Sequence, residues 1–192
     1  GVQAGKIIAM KCTFSLADAS EANFIDAAII NCTLVQTKFR KAQLAKSYFS
    51  EGDATSADFT GAAIDDTAFS VIKLSNTLFR ECTGLGSYFY KCALAASDFG
   101  KSRLTDATLT ECDLSQARFE GAEIEKSDFN QCHLEGTDYI DARMSKILFD
   151  GSDLKGVRNL PRDCSWFSFR QSDMEGLDLS GMVFKDSILD ST

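Results

Sequence analysis

Large apolar side chains recur at every fifth position, in phase from one end of the chain to the other. Of the 38 positions whose number ends in 4 or 9, 36 are apolar when Ala, Cys and Tyr are counted. Fourteen of the fifteen phenylalanines lie in this series. The positions two residues earlier hold Ala, Cys, Ser, Thr or Gly in 29 of 38 cases. Each group of five residues therefore pairs one large residue with one small residue.

A period of five fits neither of the two regular backbone structures. Residues five apart would be spread around an α-helix, and they would alternate between the two faces of a strand. The chain must instead turn a corner about every five residues. The pattern predicts short sides joined by corners, with the large and the small residue of each side pointing inward.

The repeated phrases resemble those of a known family. ADASE, ANFID, ADFTG, SDFGK, CDLSQ, SDFNQ and SDLKG are similar to the A(D/N)LXX motif of pentapeptide-repeat proteins, and the resemblance extends from Ala4 to Leu189. It implies an all-β fold, a right-handed quadrilateral parallel β-helix, in which four sides of five residues form a coil of twenty. We expect a single domain over residues 1–192, with about nine to ten coils, that is either complete or a piece of a longer protein.

A second period of ten supports four sides. Phenylalanine prefers the positions ending in 9, whereas leucine and isoleucine prefer those ending in 4. Phe side chains should therefore occupy two opposite sides of the tube and aliphatic side chains the other two, which fills a narrow interior without voids.

The pattern weakens most over residues 157–167, VRNLPRDCSWF. Asn159 takes a large-residue position, Arg162 takes a small-residue position, and the only Pro and the only Trp both lie here. We expect a local distortion with no net insertion, in which Leu160 replaces Asn159 inside the tube. One interpretation is a distorted corner. The other is a functional protrusion formed by Arg158, Pro161, Arg162 and Trp166.

A milder departure lies at Gly84, which leaves a large-residue position nearly empty. We expect the neighbouring Leu85 to supply the missing volume.

The charge is unevenly distributed. The net charge of −8 arises entirely in residues 97–192, since residues 1–96 carry nine basic and nine acidic side chains. An acidic chain argues against direct nucleic-acid binding, which requires cations to neutralise phosphates. No apolar run approaches the length of a membrane helix, so we expect no membrane association.

The seven cysteines argue for reduced thiols. Six of them occupy small-residue positions, where Ala, Ser and Thr serve elsewhere, and no CxxC pair occurs. We therefore predict free thiols that act as small apolar side chains, with neither a disulfide framework nor a zinc site. A cytoplasmic protein follows from reduced thiols, with a secreted effector as the alternative.

The sequence offers little for catalysis. His133 is the only histidine, and it lies outward beside an inward Cys132. No Gly-rich phosphate loop is present. We therefore predict a non-enzyme that has no catalytic residue, metal or cofactor.

Two further surfaces are candidates for function. One side of the first half is rich in uncharged and aromatic residues, and its candidate protein-contact face comprises Ile30, Tyr48, Tyr88 and Tyr90. One side of the second half is a candidate acidic face of Asp113, Glu135, Asp153, Asp173 and Glu175. For both faces, a solvated surface without a partner is the alternative.

Three functions from different classes are compatible with these observations. The first is a bacterial protein-interaction scaffold, as in a module of an effector or secretion-associated protein, which binds an unidentified protein partner. The second, implied by the resemblance, is a DNA-mimicking protein that binds gyrase or another topoisomerase, although this chain lacks the long loops of the gyrase-protecting members. An enzyme is a remote third. An open end of the helix could also form a homodimer, because it presents unpaired strand edges and apolar residues; those residues are Val2, Ile7 and Ile8 at one end and Met182, Val183, Phe184, Ile188 and Leu189 at the other.

Overall fold

In the computed structural model, which describes residues 7–190, the chain forms a parallel β-helix. Residues 7–190 contain eleven strands of three residues each and no helix. The strands are β1 (Ile8–Met10), β2 (Ala28–Ile30), β3 (Tyr48–Ser50), β4 (Ala68–Ser70), β5 (Thr83–Leu85), β6 (Tyr88–Tyr90), β7 (Arg103–Thr105), β8 (Thr108–Thr110), β9 (Glu123–Glu125), β10 (Asp128–Asn130) and β11 (Arg143–Ser145). They form a seven-stranded sheet in the order β1-β2-β3-β4-β6-β8-β10 and a four-stranded sheet in the order β11-β9-β7-β5.

Every pairing joins residues twenty apart, as the repeat predicts. In the seven-stranded sheet, Phe49 of β3 pairs with Ile29 and with Phe69. Single-residue bridges such as Thr33–Asp53 and Lys38–Asp58 form the pairing on the other two sides of the coil. Four paired sides close each coil, and the right-handed quadrilateral β-helix is confirmed.

The predicted nine to ten coils exceed the seven that the strands of the longest sheet connect. Beyond β10 the same side continues only as single bridges, from Asp128 to Leu148, Ser168 and Ile188. The later coils are therefore paired more sparsely than the sequence repeat indicates.

The corners are formed by residues in the left-handed backbone conformation. Of the 36 positions from 11 to 186 whose number ends in 1 or 6, all but Pro161 have a positive φ. Only eight of these residues are glycine, and even the β-branched Val71 has a positive φ, of 51°. Such a conformation is costly for a β-branched residue. It is held here because the N–H groups of corner residues donate to the next coil, as Val71 does to the carbonyl of Tyr90 at 2.8 Å.

The polar residue of the motif stabilises the corner that follows it. Asp18 and Asp98 each accept a hydrogen bond at Oδ1 from the backbone N–H two residues later, at 3.0 and 2.8 Å. Asn23 does the same at 3.0 Å. Asp and Asn favour turns because their short side chains reach their own backbone in this way. The Asp or Asn of A(D/N)LXX therefore has a structural role.

Phenylalanine rings form the centre of the core on two opposite sides, as predicted. On one side, Phe39, Phe59 and Phe79 stack at centroid distances of 4.9 and 5.0 Å. On the opposite side, Phe49 and Phe69 stack at 5.1 Å. The two stacks meet edge to face, a geometry that aromatic pairs favour.

The small inward residues also bond between coils. The hydroxyl of Thr67 donates to the carbonyl of Leu44 at 2.7 Å, and the thiol of Cys82 donates to that of Phe59 at 2.9 Å. Both acceptors lie 23 residues earlier, in the coil below. This geometry explains why Thr, Ser and Cys are accepted at these positions, although within residues 7–190 the hydroxyls of Ser47, Ser97 and Ser102 make no hydrogen bond there. All seven cysteines are free in the structure.

The expected role of Leu85 is wrong. Its side chain is 53% exposed on the outer face of β5. The space beside Gly84 is filled from the neighbouring coils, since a Cβ at that position would lie 2.9 Å from Leu104 and 3.4 Å from Ile64. Alternation along a strand places Leu85 outside whatever its size.

The distortion over residues 157–167 is confirmed, and it has a specific cause. The proline ring fixes φ near about −65°, so Pro161 cannot adopt the left-handed corner. Asn159 provides that corner two residues early, with φ 57°. Leu160 then packs against the core while Asn159 is exposed, as expected. No bridge joins Arg143 to Asp163 or Arg158 to Asp178 in the described part of the chain, so two adjacent sides lose their pairing.

Truncation of a stacked ring should strongly destabilise the fold. Phe119 is fully buried and stacks on Phe99 at 4.9 Å and on Tyr139 at 5.1 Å. We expect Phe119→Ala to lower the free energy of unfolding by about 3–5 kcal/mol, measured by urea denaturation. Glu120→Ala, at the exposed next residue, should change it by less than ~0.5 kcal/mol. Similar losses for both variants would contradict the assigned register.

Relief of a strained corner should stabilise the protein. Val71→Asn is expected to raise the free energy of unfolding by about 1 kcal/mol, because Asn tolerates the left-handed conformation better than Val. Thermal denaturation would measure the effect. Val183→Asn is the matched control, since Val183 is also exposed but is not a positive-φ corner. An equal gain at both sites would show that corner strain is not the cause.

Candidate interaction surfaces

The one Cys–His neighbour pair is divided between the inside and the outside of the tube. Cys132 is buried, and its thiol donates to the carbonyl of Leu109 at 3.3 Å. His133 is exposed on the outer face, where it bridges to Asp113 and Asp153 in the adjacent coils. Burial also raises the pKa of the Cys82 thiol to about 12, so it stays protonated. Among the described residues, no group of three or more His, Cys, Asp or Glu side chains could hold a metal ion.

The structure places the predicted protein-contact face on the seven-stranded sheet. Tyr48 lies on β3, Tyr88 and Tyr90 lie on β6, and Ile30 lies on β2. Tyr48 and Tyr88 flank the small Ala68 in the pairing register. Tyr48 is 40% exposed and Tyr88 is 38% exposed.

The outward strand positions of this face are uncharged across six coils, and charged corner residues such as Lys91 border it. The outward residues of β1 to β4, β6 and β8 are Ile8, Met10, Ala28, Ile30, Tyr48, Ser50, Ala68, Ser70, Tyr88, Tyr90, Thr108 and Thr110. The first charged outward residue is Asp128 of β10. The rings of Tyr88 and Tyr90 stack at 6.2 Å, and Lys91 Nζ lies 5.0 Å from the centroid of the Tyr90 ring. The aromatic end of the face is therefore ordered by its own contacts.

The predicted acidic residues also share one side of the helix. Bridges connect Asp113 to His133, His133 to Asp153, and Asp153 to Asp173. Glu135 and Glu175 occupy the next outward position of the same side. The side is not uniformly acidic, because His133 lies between Asp113 and Asp153.

Several of these acidic groups have local partners. Asp113, Asp153 and Asp173 each accept the backbone N–H two residues later at 3.0 Å, as the corner-stabilising Asp residues do. Lys155 Nζ lies 2.7 Å from Asp173 and 3.3 Å from Glu175. Bonds to these two carboxylates raise the pKa of Lys155 to about 12, so it remains cationic. Much of this acidity therefore stabilises corners or is neutralised.

The residues of the predicted protrusion surround a break between coils. Arg158 keeps its backbone bridge to Asp138 in the coil below, and its guanidinium lies 3.5 Å from the Asp138 carboxylate. Pro161 lies at the distorted corner, and Arg162 is exposed beside it while its carbonyl accepts the N–H of Val183 at 2.7 Å. Trp166 is 60% exposed at the next corner. No long loop extends from this part of the described chain.

The break creates a groove that the sequence analysis missed. A groove of about 530 Å³ is lined by Ala142, Arg143, Met144, Ser145, Pro161, Asp163, Ser165, Trp166 and Lys185. Residues 142–145 keep the regular repeat, so nothing in their own pattern indicates a site. The sequence could have indicated this site only through the period of twenty, which places residues 142–145 in the coil directly below the irregular segment.

Both ends of the helix expose apolar residues. Ile8 at one end, and Val183, Ile188 and Leu189 at the other, are exposed. Met182 and Phe184 are only partly buried against the core. Val2 lies outside the described residues. The structure contains one chain, so dimerisation through an end stays a prediction. Nothing in the described range is a helix that could cross a bilayer.

The comparisons with known proteins concern the repeat and the fold. The model described as "Pentapeptide repeat region" matches residues 85–158, and that described as "Pentapeptide repeats (8 copies)" matches residues 22–63. Together they cover more than half of the chain. No curated protein gives a significant match.

Two solved structures show the same architecture. A trypsin-treated form of QnrB1, a plasmid-mediated fluoroquinolone resistance protein, is 23% identical with a TM-score of 0.67, over 97% of this chain and 92% of that one. HetL, involved in heterocyst differentiation regulation in the cyanobacterium Nostoc sp. strain PCC 7120, is 19% identical with a TM-score of 0.50, over 96% of this chain and 85% of that one. At these identities the likeness is one of fold. With the motif, the corners and the four-sided coil, the matching family models establish that the chain belongs to the pentapeptide-repeat family.

Proposed function

We propose that this protein is a non-catalytic interaction scaffold that binds a protein partner through the uncharged face of its seven-stranded sheet. The observation that supports this proposal most directly is the absence of charge from twelve outward positions, across the six strands from β1 to β8 that face this side. Charged residues make up 25% of the chain. Depletion of charged residues and enrichment of tyrosine are both typical of the central part of protein interfaces.

The face is also rigid and of suitable length. Its backbone is paired strand to strand in a single register, so a partner would meet a preformed surface. Six strands at the usual spacing of about 4.8 Å span roughly 24 Å. The tyrosines add large contact areas with few rotatable bonds, which limits the entropy lost on binding.

A DNA-mimicking role is the second candidate, and its support is the net charge of −8 concentrated in residues 97–192. A mimic of duplex DNA needs a continuous acidic surface. Here Lys155 binds two of the five carboxylates of the candidate acidic face, and His133 interrupts the column. The uncharged face therefore supports the scaffold better than this acidic side supports mimicry.

Removal of the two adjacent tyrosines should weaken partner binding. After capture of a partner from an extract of the encoding organism, we expect Tyr88→Ser/Tyr90→Ser to weaken the purified complex by about tenfold or more, because exposed tyrosines are frequent anchors of interfaces. Titration calorimetry would measure the dissociation constant.

The matched control for that experiment is Leu85→Ser. Leu85 is also large, apolar and exposed, but it lies on β5 in the other sheet. Its substitution should change the dissociation constant by less than about twofold. Equal weakening by both variants, or unchanged binding by the tyrosine variant, would remove this face as the contact surface.

A gyrase assay distinguishes the scaffold from the DNA mimic, because a mimic that binds gyrase should inhibit it. We expect the purified protein to leave DNA supercoiling by bacterial gyrase unchanged, because this acidic side is discontinuous and partly neutralised. A supercoiling assay over increasing protein concentration would test this. Inhibition that is lost when Asp113 and Asp153 are changed to Asn would favour mimicry instead.

A further inference from the structure

The last coil is attached to the rest of the helix on only two of its four sides. Leu148 bridges to Ser168 and Asp153 bridges to Asp173, so two adjacent sides remain paired. On the other two, within residues 7–190, no bridge joins residue 143 to residue 163 or residue 158 to residue 178. The coils therefore separate at one corner, which is the corner that contains Pro161.

The separation leaves β11 as an edge strand inside the helix. β11 is the terminal strand of the four-stranded sheet, and its other edge pairs with β9. In the preceding coil, the N–H of Lys126 donates to the carbonyl of Ser145 at 2.9 Å. The equivalent donor one coil later is Lys146. No bond from its N–H, or from that of Met144, to another backbone group is found in the part of the chain that the structure describes.

The segment that faces β11 across the break contains Asp163, and in the described chain it also lacks its usual hydrogen bond to the coil below. In regular coils a residue of the Asp163 column donates downward, as Arg143 does to the carbonyl of Ala122 at 2.8 Å. The N–H of Asp163 makes no such bond to Ala142 within residues 7–190. Backbone groups of this kind need partners, and an edge strand with free donors and acceptors is a template for another strand.

The side chains around the groove add apolar contact and positive charge. Met144, Pro161 and the 60%-exposed ring of Trp166 supply an apolar wall. Lys185 lines the groove, and Lys146 directly follows the lining residue Ser145 in the chain. Neither lysine forms an ion pair with another residue in the described part of the chain. Asp163 is the one acidic residue of the lining. Among the lining residues, the two cations Arg143 and Lys185 therefore outnumber the one carboxylate.

We infer that this groove binds an extended segment of a partner protein, in which acidic and apolar residues alternate, by addition of a strand to β11. The backbone of the segment would bond to Met144 and Lys146. Its apolar side chains would contact Trp166, and its carboxylates would lie near Lys146 and Lys185. Strand addition obtains affinity from main-chain bonds and specificity from alternate side chains. The inference extends the proposed scaffold role to a second site, and either site can fail without the other.

The experiment uses Trp166, the only tryptophan of the chain, as an intrinsic probe of the groove. The probes are acetylated hexapeptide amides in which Asp or Glu alternates with Leu, Val or Phe. We expect saturable shifts of tryptophan emission to shorter wavelength with some of these peptides, and none with the analogues in which Lys replaces the acidic residues. Tyr88→Ser/Tyr90→Ser should bind the peptides unchanged, which separates this site from the uncharged face.

Two comparisons test the mechanism. Lys146→Glu/Lys185→Glu should weaken peptide binding by about tenfold or more, whereas Lys41→Glu/Lys101→Glu, an equal charge change at exposed residues distant from the groove, should not. N-methylation of alternate peptide amides should abolish binding, because it removes the main-chain donors.

Several results would overturn the inference. The first is the absence of a saturable shift for every acidic peptide, and the second is equal binding of the N-methylated forms. The third is strong protection of the Met144 and Lys146 amides from hydrogen exchange in the protein without peptide. That protection would show that the last coil closes on β11 by itself and that no strand site exists.

Discussion

The structure depends on a corner at every fifth residue in which the backbone takes a left-handed conformation. This conformation is unfavourable for most residues, and here 27 non-glycine residues adopt it in a regular series. Its cost is offset because each coil pairs with the next through backbone hydrogen bonds. A coil cannot exist alone, and stability accumulates only as neighbouring coils stack.

The interior follows from this constraint. Once each side is only a few residues long, the tube admits one large and one small residue from each side. Rings such as Phe59 and Phe79 then stack with the coil spacing, at 5.0 Å. Many of the small residues, such as Thr67 and Cys82, donate to carbonyls of the coil below, which pairs polar groups that would otherwise be buried alone. The exceptions, which make no hydrogen bond to another described residue, are the hydroxyls of Ser47, Ser97, Ser102 and the buried Tyr139.

The exterior is where this chain differs from a uniform repeat. The outward residues do not affect the closure of the coil, so they are free to form an uncharged face on one side and a mixed acidic face on another. Pro161 is the exception, because it alters the backbone itself. One residue that cannot form the corner displaces it to Asn159 and leaves two sides unpaired, which produces the groove beside β11.

The sequence alone determined the fold, the inward residues and the grouping of outward residues on faces, since a strict period of five and of twenty specifies each residue's side and coil. It also located the distortion, because Pro and Asn interrupt the pattern there. It misplaced Leu85, because strand alternation overrides the volume that Gly84 leaves empty. Only the tertiary structure revealed the structural role of Asp113 and Asp153 and the groove under Trp166. The two aspartates act through a local hydrogen bond from the backbone N–H two residues later. The groove arises where the pairing between adjacent coils ends, which the period alone does not show.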